Sequence, residues 1–338
     1  MMKKRFRLSE FLAEKIITAT AFVSFAFIVL IFVFVFRETI PIFSPPPEAV
    51  NIEELGVQET YGDVEMSEQE KAIEAKQQAA VHEDNGASIE NLTGDRWQPV
   101  SSKPKYGLVP LFIGSLKVSL IAILFAAPVG ILAALFTAAF APKWAKEALK
   151  PVIEILAGFP SVVIGFFALV VMATIIQDAF GLHYRLNAFV GGIALAFAVI
   201  PIIFTISEDA IAAVPKNLTE ASLALGATKW QTALKVVLPA ATPGIFASVI
   251  LGVGRAFGET MIVLMATGNA ALVSADLFEP VRTMSATIGA EMAEVVFGET
   301  HYNVLFLIGS LLFLFTFILN AIAEIFIRQR LMKKFKGN

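Results

Sequence analysis

Cysteine is absent from the 338-residue sequence, and charged residues are scarce. Without cysteine the chain can form neither a disulfide framework nor a thiolate metal site. Charged residues make up 16% of the chain, whereas a soluble domain carries about 25%. Hydrophobic residues reach 57%, the mean hydropathy is +0.73 and the net charge is −3. These values indicate a membrane protein and give no electrostatic basis for a nucleic-acid partner.

Two further absences exclude functions. No phosphate-binding G-x-x-x-x-G-K-[ST] sequence occurs, so any ATP that drives the protein must be hydrolysed by another polypeptide. The three histidines, His82, His183 and His301, have no metal-ligand spacing. We therefore predict no catalytic residue, no metal site and no cofactor bound by this chain.

The N-terminus has a basic start followed by residues 16–36, which contain no charge. A cleavable signal peptide has an apolar run of about 7–15 residues before a small-residue cleavage site. This run is longer, and Phe36-Arg37-Glu38 offers no such site. As a helix, it would span about 30 Å of hydrocarbon. We predict that residues 1–36 form a short cytoplasmic tail and a retained first transmembrane helix.

Five further apolar segments follow, which predicts an all-α polytopic protein with six transmembrane helices. These segments are residues 111–140, 152–176, 188–206, 243–267 and 304–327. Lysine and arginine cluster in the two termini and in the loops at 142–151 and 207–238. With six helices all four clusters lie on one side, which the positive-inside rule assigns to the cytoplasm. Both termini are therefore expected to be cytoplasmic.

Residues 37–107 are expected to form one long external insert after the first helix. Acidic residues outnumber basic ones in it, and Pro45-Pro46-Pro47 begins it with a stiff extended piece. Residues 67–81 combine good helix formers with polar side chains on most faces. They fit either a solvated helix or partly disordered insert, or a docking site for a partner. The rest of the chain, 108–338, contains the other five helices.

The 207–238 loop carries the strongest local signals. Pro215 is expected to end one short helix. Asn217 is a suitable cap for the next helix, with Glu220 three residues later reaching back to the cap. Gly226 is placed to terminate that second helix, as glycine often does.

The second half of the loop predicts a further helix. Thr228-Lys229-Trp230-Gln231 has the pattern of a capping box, which starts a helix. Leu238-Pro239 is expected to stop this helix at the membrane, because proline interrupts the helical hydrogen bonds. Together the two halves predict a compact helix–turn–helix on the cytoplasmic face, stiff enough to transmit force.

The loop resembles the "EAA" loop of ABC-importer permeases. The resemblance rests on Glu220-Ala221-Ser222, then Gly226 after three residues, then Val236-Val237-Leu238-Pro239 after nine more. Ser222 replaces the family's second alanine, which is a small-for-small change. The resemblance implies a coupling helix that sits in a groove of a separate ATPase subunit. The residues expected to couple to the ATPase are Glu220, Ala221, Gly226, Trp230, Leu238 and Pro239.

Arg255 and Glu259 lie in the middle of the fifth apolar segment. Charges there are costly, so they usually face a bundle interior or a water-filled path. Four residues apart, they share one helix face. The planar arginine fork suits phosphate oxygens, which favours a path in which Arg255 helps an anion to cross and Glu259 neutralises it between cycles. The alternative is a fixed internal ion pair that only holds helices together.

Two other positions are candidates for the substrate path. Gly158-Phe159-Pro160-Ser161 interrupts the third apolar segment, and such a break frees backbone groups to line a path. Ser161 is the candidate there, and a simple helix kink is the alternative. Lys117 is expected near the outer end of the second helix. It either extends its charge to the interface or captures an anion at the external mouth.

Four strings narrow the resemblance: AGFPSVVIG (157–165), LPAATPGI (238–245), GRAFGETM (254–261) and GETHYNVLF (298–306). They resemble the phosphate-specific-transport permeases, which are ABC type I importer permeases, and the last string resembles the C-type subunit. The resemblance covers roughly residues 108–335. It implies a heterodimer with an A-type permease, two copies of an ATPase that uses ATP, and an external phosphate-binding protein.

Other functions remain open at this point. An ABC permease for another oxyanion, such as molybdate or sulfate, would share these features. An ion-driven secondary transporter would show inverted repeats and no ATPase-docking loop, whereas this chain has a single such loop. A membrane partner that reports phosphate supply is a third possibility, as a second role.

Overall fold

The computed structural model describes residues 8–43 and 87–335, which are almost entirely helical. The helices are α1 (Leu8–Arg37), α2 (Ile40–Phe43), α3 (Ile89–Leu92), α4 (Val109–Ala139), α5 (Lys143–Gly158), α6 (Ser161–Phe167), α7 (Ala173–Phe180), α8 (Ala188–Ala212), α9 (Lys216–Ala224), α10 (Lys229–Thr232), α11 (Leu238–Phe257), α12 (Met261–Ala266), α13 (Met284–Glu291) and α14 (Thr300–Phe335). Two short strands, β1 (Trp97–Gln98) and β2 (Lys105–Tyr106), pair antiparallel. The predicted all-α fold is confirmed.

Six helical stretches are long and apolar enough to cross a membrane, as predicted. They are Leu12–Phe43, Val109–Ala139, Ser161–Phe180, Ala188–Ala212, Lys229–Phe257 and Thr300–Ile322. Many large apolar side chains on them are exposed. This is expected in a bilayer, because lipid tails are as apolar as leucine and exposure to them carries no hydrophobic penalty.

The predicted start of the third span at residue 152 is wrong. Residues 152–158 belong to α5, a separate helix that ends at Gly158. Phe159 and Pro160 have extended backbone, and α6 begins at Ser161. A proline disfavours helical backbone in the residue before it, which explains why the helix breaks at Phe159. The span itself is Ser161–Phe180 and includes a π-helical segment, Ala168–Met172.

The predicted bounds of the fifth span, 243–267, are also wrong. Its helix is continuous from Lys229 through a π-helical segment, Ala233–Val237, to Phe257. It then breaks at Gly258 and Glu259, and the short helix α12 follows. Arg255 and Glu259 therefore do not lie in the middle of one helix.

The core of the membrane part is built by α8, which packs against α4 and α11. Glycines at the contacts allow the helices to approach closely. A Cβ atom added at Gly192 of α8 would lie 2.4 Å from Ile121 of α4. Small residues have this role in membrane helices, where close van der Waals packing replaces the hydrophobic driving force.

The chain divides into two compact units. Of the described residues, the first contains 8–43 together with Val296–Ser310. In it, Phe34 of α1 meets Phe306 edge to face at 5.8 Å between ring centroids, and the hydroxyls of Thr39 and Ser310 lie 3.2 Å apart. Residues 44–86, with the predicted helix or docking site at 67–81, lie outside the described residues.

The second unit contains Ala87–Val295 and the chain from Leu311 onward. Residues 87–107, which the sequence analysis assigned to the external insert, are thus part of the same unit as α4–α13. They fold as α3 followed by the β1–β2 hairpin. The hairpin is closed by hydrogen bonds from Gly107 N to Arg96 O (2.8 Å) and from Leu108 N to Leu92 O (2.9 Å). The chain continues from Leu108 directly into α4, which begins at Val109.

Candidate functional site

The loop that the sequence marked as a coupling element folds as α9, a tight turn and α10. Gly226 follows α9 with φ of +85°, a conformation that favours glycine. The amide of Ala227 donates a hydrogen bond to the carbonyl of Ser222 at 3.2 Å, which satisfies one of the last carbonyls of the helix. The predicted helix termination at Gly226 is confirmed.

The capping box at Thr228 is confirmed as well. The Thr228 hydroxyl accepts the amide of Gln231 at 3.2 Å, and the Gln231 side chain accepts the amide of Thr228 at 2.9 Å. The hydroxyls of Ser222 and Thr232 lie 2.9 Å apart and join α9 to α10. Ser222, the position that departs from the family pattern, therefore contributes a polar link between the two helices.

Three predicted details of the loop are wrong. Residues 207–212 continue α8 and do not form a separate short helix. Next, α9 begins at Lys216 directly after Pro215, so Asn217 lies inside its first turn and does not cap it. Finally, Leu238-Pro239 does not stop the helix. The ring of a proline clashes with the carbonyl four residues earlier, and here that residue, Lys235, lies in a wider π-helical turn.

The loop exposes four large apolar side chains. We call this set the loop surface and define it by Leu218, Leu223, Leu225 and Trp230, all of them exposed, with Leu225 at 89%. No residue of α9 is buried, and Glu220 and Ala221 are exposed beside this surface. Leu238 does not belong to it, because Leu238 packs against the apolar core.

The base of the loop contains an ion pair that the sequence analysis missed. Lys150 Nζ of α5 lies 2.9 Å from Glu208 Oε2 of α8, and the side chain of Glu208 is only 10% exposed. Nearby, the ring of Trp230 lies 5.6 Å from that of Phe140 at the end of α4. The sequence signal was an acidic residue at the end of an apolar helix, but nothing local identified its partner.

The second candidate site lies at the break after α11. Arg255 occupies the last turn of α11, and Glu259 lies in the break before α12. Arg255 Nη2 is 3.5 Å from Glu259 Oε2, whereas charge-assisted hydrogen bonds are about 2.7–2.9 Å. The side chain of Arg255 is 52% exposed and that of Glu259 is 6% exposed. The Glu259 side chain is therefore buried in the protein, while about half of the Arg255 side chain is exposed.

Ser161 and Lys117 are not brought together with this pair by any described hydrogen bond or ion pair. Ser161 begins α6, which packs against α12; a Cβ added at Gly165 would lie 3.1 Å from the carbonyl of Met261. Lys117 Nζ donates to the carbonyl of Asp276 at 2.9 Å, in the loop before α13. Lys117 thus has a partner of its own in a separate part of the unit.

A second polar cluster, which the sequence analysis also missed, joins the hairpin to α13. The carboxylate of Glu291 accepts the Nε1–H of Trp97 at 3.1 Å and forms an ion pair with Arg282. Arg282 Nε also donates to the carbonyl of Asn269 at 3.0 Å. Trp97 and Glu291 are 194 residues apart in sequence, so no local pattern reveals this contact.

Residues 126–331 match the family described as "binding-protein-dependent transport system inner membrane component". The chain belongs to this family. It is a multi-pass inner-membrane permease subunit of an ABC transporter.

Named relatives agree with this assignment. The permease is 42% identical over 237 residues to a "probable ABC transporter permease protein YqgH" of Bacillus subtilis, which covers 69% of this chain and 76% of that protein. It is 34% identical over 252 residues to the "phosphate transport system permease protein PstC" of Mesorhizobium japonicum, with the same coverages. Among solved structures, a bacterial ABC transporter involved in alginate import has the same fold, with a TM-score of 0.52, 15% identity and coverage of 77% of this chain and 89% of that chain.

Proposed function

We propose that this permease is the C-type transmembrane subunit of an ATP-driven importer of inorganic phosphate. Relatives from several bacteria carry the name of phosphate transport system permease protein PstC. Their identity to this chain is 30–34% in these three, over 69–72% of its length. Their names support phosphate as the substrate, and the geometry of Arg255 and Glu259 supports the proposal that these two residues act on it.

The half-exposed side chain of Arg255 is the observation that carries the proposal. The pair is 3.5 Å long and buried only at Glu259, so Arg255 keeps exposed surface that a short pair buried on both sides would not offer. The exposed part of the fork presents paired N–H donors that match phosphate oxygens. Arg255 receives the anion, and Glu259 neutralises Arg255 when the anion has left.

Ser161 is assigned to the same path because α6 packs against α12, which follows Glu259. Lys117 is assigned a different role. Its ammonium group holds the carbonyl of Asp276 and interacts with the charges of Glu279 and Asp276. In this arrangement Lys117 holds the loop before α13, and its place in the substrate path stays a prediction.

The loop surface is proposed as the docking site of the ATPase. Large apolar side chains exposed to water are costly unless a partner covers them, so the exposed leucines and tryptophan of this loop support an interaction site. The capping box, the Ser222–Thr232 bond and the turn at Gly226 make the loop stiff. Two copies of the ATPase, an A-type permease and an external phosphate-binding protein complete the proposed transporter.

The orientation follows from the same assignment. The loop surface must face the cytoplasm, where ATP is available. Both termini then lie in the cytoplasm and the insert lies outside, as the distribution of basic residues predicts. Glu220, Ala221, Gly226 and Trp230 carry the coupling, while Leu238 and Pro239 connect the loop to α11.

Uptake of radiolabelled phosphate tests the substrate. Cells that lack this permease should lose high-affinity uptake, and the restored wild-type chain should return it. Excess unlabelled phosphate should compete, whereas excess sulfate or molybdate should not. Competition by molybdate or sulfate would assign another oxyanion. Unchanged uptake together with altered expression of phosphate-responsive genes would indicate a sensing role instead.

A further inference from the structure

The helix α13 contacts two places that the proposed function does not connect. At its end, Glu291 accepts the Nε1–H of Trp97 and pairs with Arg282. Near its start, the hydroxyl of Ser285 donates to the backbone carbonyl of Glu259 at 2.6 Å. An eight-residue helix is about 12 Å long. One short helix therefore links the β1–β2 hairpin to the break that contains Glu259.

Packing leaves little freedom between α13 and the break. A Cβ added at Gly289 would lie 2.5 Å from the side chain of Thr260, the residue after Glu259. The backbone at Met284 is tied to α4 through its amide, which donates to Ser115 at 2.9 Å. Closely packed interiors transmit small displacements because they have no space to absorb them. A shift of α13 therefore reaches the carbonyl of Glu259.

The cluster around Glu291 fixes the other end of the helix. Trp97 is buried, and its ring meets that of Tyr106 at a centroid distance of 6.0 Å. The carboxylate of Glu291 is mostly buried and receives donors from two different elements. Removing one donor from a buried carboxylate is costly, so this carboxylate has a strongly preferred position. The hairpin thereby sets where α13 ends.

We propose that Trp97, Arg282 and Glu291 are positioning residues for transport, which act through α13 on the placement of Glu259 beside Arg255. The inference rests on the proposed function, because it takes the Arg255–Glu259 break as the point where the anion crosses. It adds a mechanical role for residues 87–107: a displacement of the hairpin changes the geometry of the charged pair. A cluster that only stabilised the fold would have no such effect.

Non-additivity of two substitutions distinguishes the two roles. Trp97→Phe keeps an aromatic ring and removes the Nε1 donor, and Ser285→Ala removes the hydroxyl at the other end of α13. A lost hydrogen bond of about 0.5–1.5 kcal/mol corresponds to a roughly 2- to 12-fold loss of phosphate uptake for each variant. Effects of distant, independent sites multiply. If α13 transmits displacements of the hairpin to Glu259, phosphate uptake by the double variant should be no lower than that of the poorer single variant.

The measurement is phosphate uptake in cells at matched abundance of each variant in the membrane. Val100→Ala is the matched control, since Val100 is 91% exposed in the same hairpin and should leave uptake unchanged. Multiplied losses in the double variant would overturn the inference. Absence of phosphate uptake by the wild-type chain would instead refute the proposed substrate.

A second measurement does not depend on the anion. The chain has no cysteine, so Gly258→Cys places a single thiol next to Glu259. Gly258 is exposed, and a Cβ there would lie 3.6 Å from the carbonyl of Gly254, an ordinary contact. Trp97→Phe should change the rate at which a water-soluble maleimide labels this thiol in membrane vesicles, whereas Val100→Ala should not. An equal rate in all three backgrounds would overturn the positioning role.

Discussion

Replacement of Gly226 gives the sharpest test of the coupling loop, because the structure isolates a single physical effect. The residue has φ of +85°, and no atom lies within 4 Å of a Cβ added there. A new Cβ therefore causes no clash with the surroundings, and backbone strain is the main expected effect. An L-residue in the left-handed region costs about 1–2 kcal/mol. Reduced entropy of the unfolded chain offsets about 0.4–1 kcal/mol of this for alanine.

The expected order of damage is Gly226→Val, then Gly226→Ala, then Gly226→Asn. Valine is worst because β-branched side chains fit φ above zero poorly. Asparagine tolerates this conformation, and the chain itself places Asn269 at φ of +57°. A strain of about 1–2 kcal/mol lowers the ratio of docking-competent to opened loop roughly 5- to 30-fold. Co-purification of the ATPase and phosphate-stimulated ATP hydrolysis should fall in the same order.

Gly181 provides the matched control for this series. It also follows a helix, has φ of +62° and has no atom within 4 Å of an added Cβ, but it lies before α8, outside the coupling loop. Gly181→Val should carry similar strain and leave ATPase binding intact. Equal loss of ATPase binding in both valine variants would show that strain alone, and not docking, explains the result. Normal coupling in Gly226→Val would refute the reasoning directly.

Three further predictions follow from the charges and exposures. Joint replacement Arg255→Gln with Glu259→Gln should allow assembly, since no charge is left unpaired, yet reduce uptake about tenfold or more, the value of one charged hydrogen bond; near-normal uptake would make the pair structural. Val100 and Leu225 are both highly exposed, so single cysteines there can be labelled with an impermeant maleimide. The cysteine at 100 should react from outside the cell and the cysteine at 225 only after permeabilisation; the opposite pattern would invert the topology. Lys150→Met should lower the free energy of unfolding in detergent by about 1–3 kcal/mol, because it leaves a buried carboxylate unpaired; an unchanged melting temperature would contradict this.

The parts of the fold that the sequence predicted correctly depend on local signals. Long apolar runs specify the six spans because the bilayer demands a minimum length of satisfied helix. The turn at Gly226 and the capping box at Thr228 were also predictable, because each is decided within about four residues of sequence. For these features, neighbouring residues supply all the hydrogen-bond partners.

The ends of the spans were predicted less well, and two prolines show the reason. Pro160 accompanies a true break between α5 and α6, whereas Pro239 lies within a continuous helical stretch. The π-helical segment Ala233–Val237 lies before Pro239 and widens the turn at the position of the clash. A proline in a sequence shows that one backbone hydrogen bond is lost. It does not show whether the backbone before it can adapt and continue the helix.

The polar contacts between distant segments could not be predicted at all. Lys150 and Glu208 come from different helices, and Trp97 and Glu291 are 194 residues apart in sequence. Each residue taken alone has an ordinary sequence context. Their pairing is decided by how α5, α8 and α13 pack, and packing of membrane helices depends on small shape differences instead of a hydrophobic pattern.

The position of Arg255 at the end of α11 bears on whether its partner can be exchanged. Cations in the last turn of a helix are stabilised by the negative end of the helix dipole, by about 0.3–1 kcal/mol. This support does not require Glu259. In the proposed path, Arg255 would therefore remain in place when a phosphate oxygen displaces the carboxylate, while the carbonyl of Glu259 stays bound to Ser285. A pair with one independently supported member and one buried, loosely bonded member would suit repeated exchange of an anion.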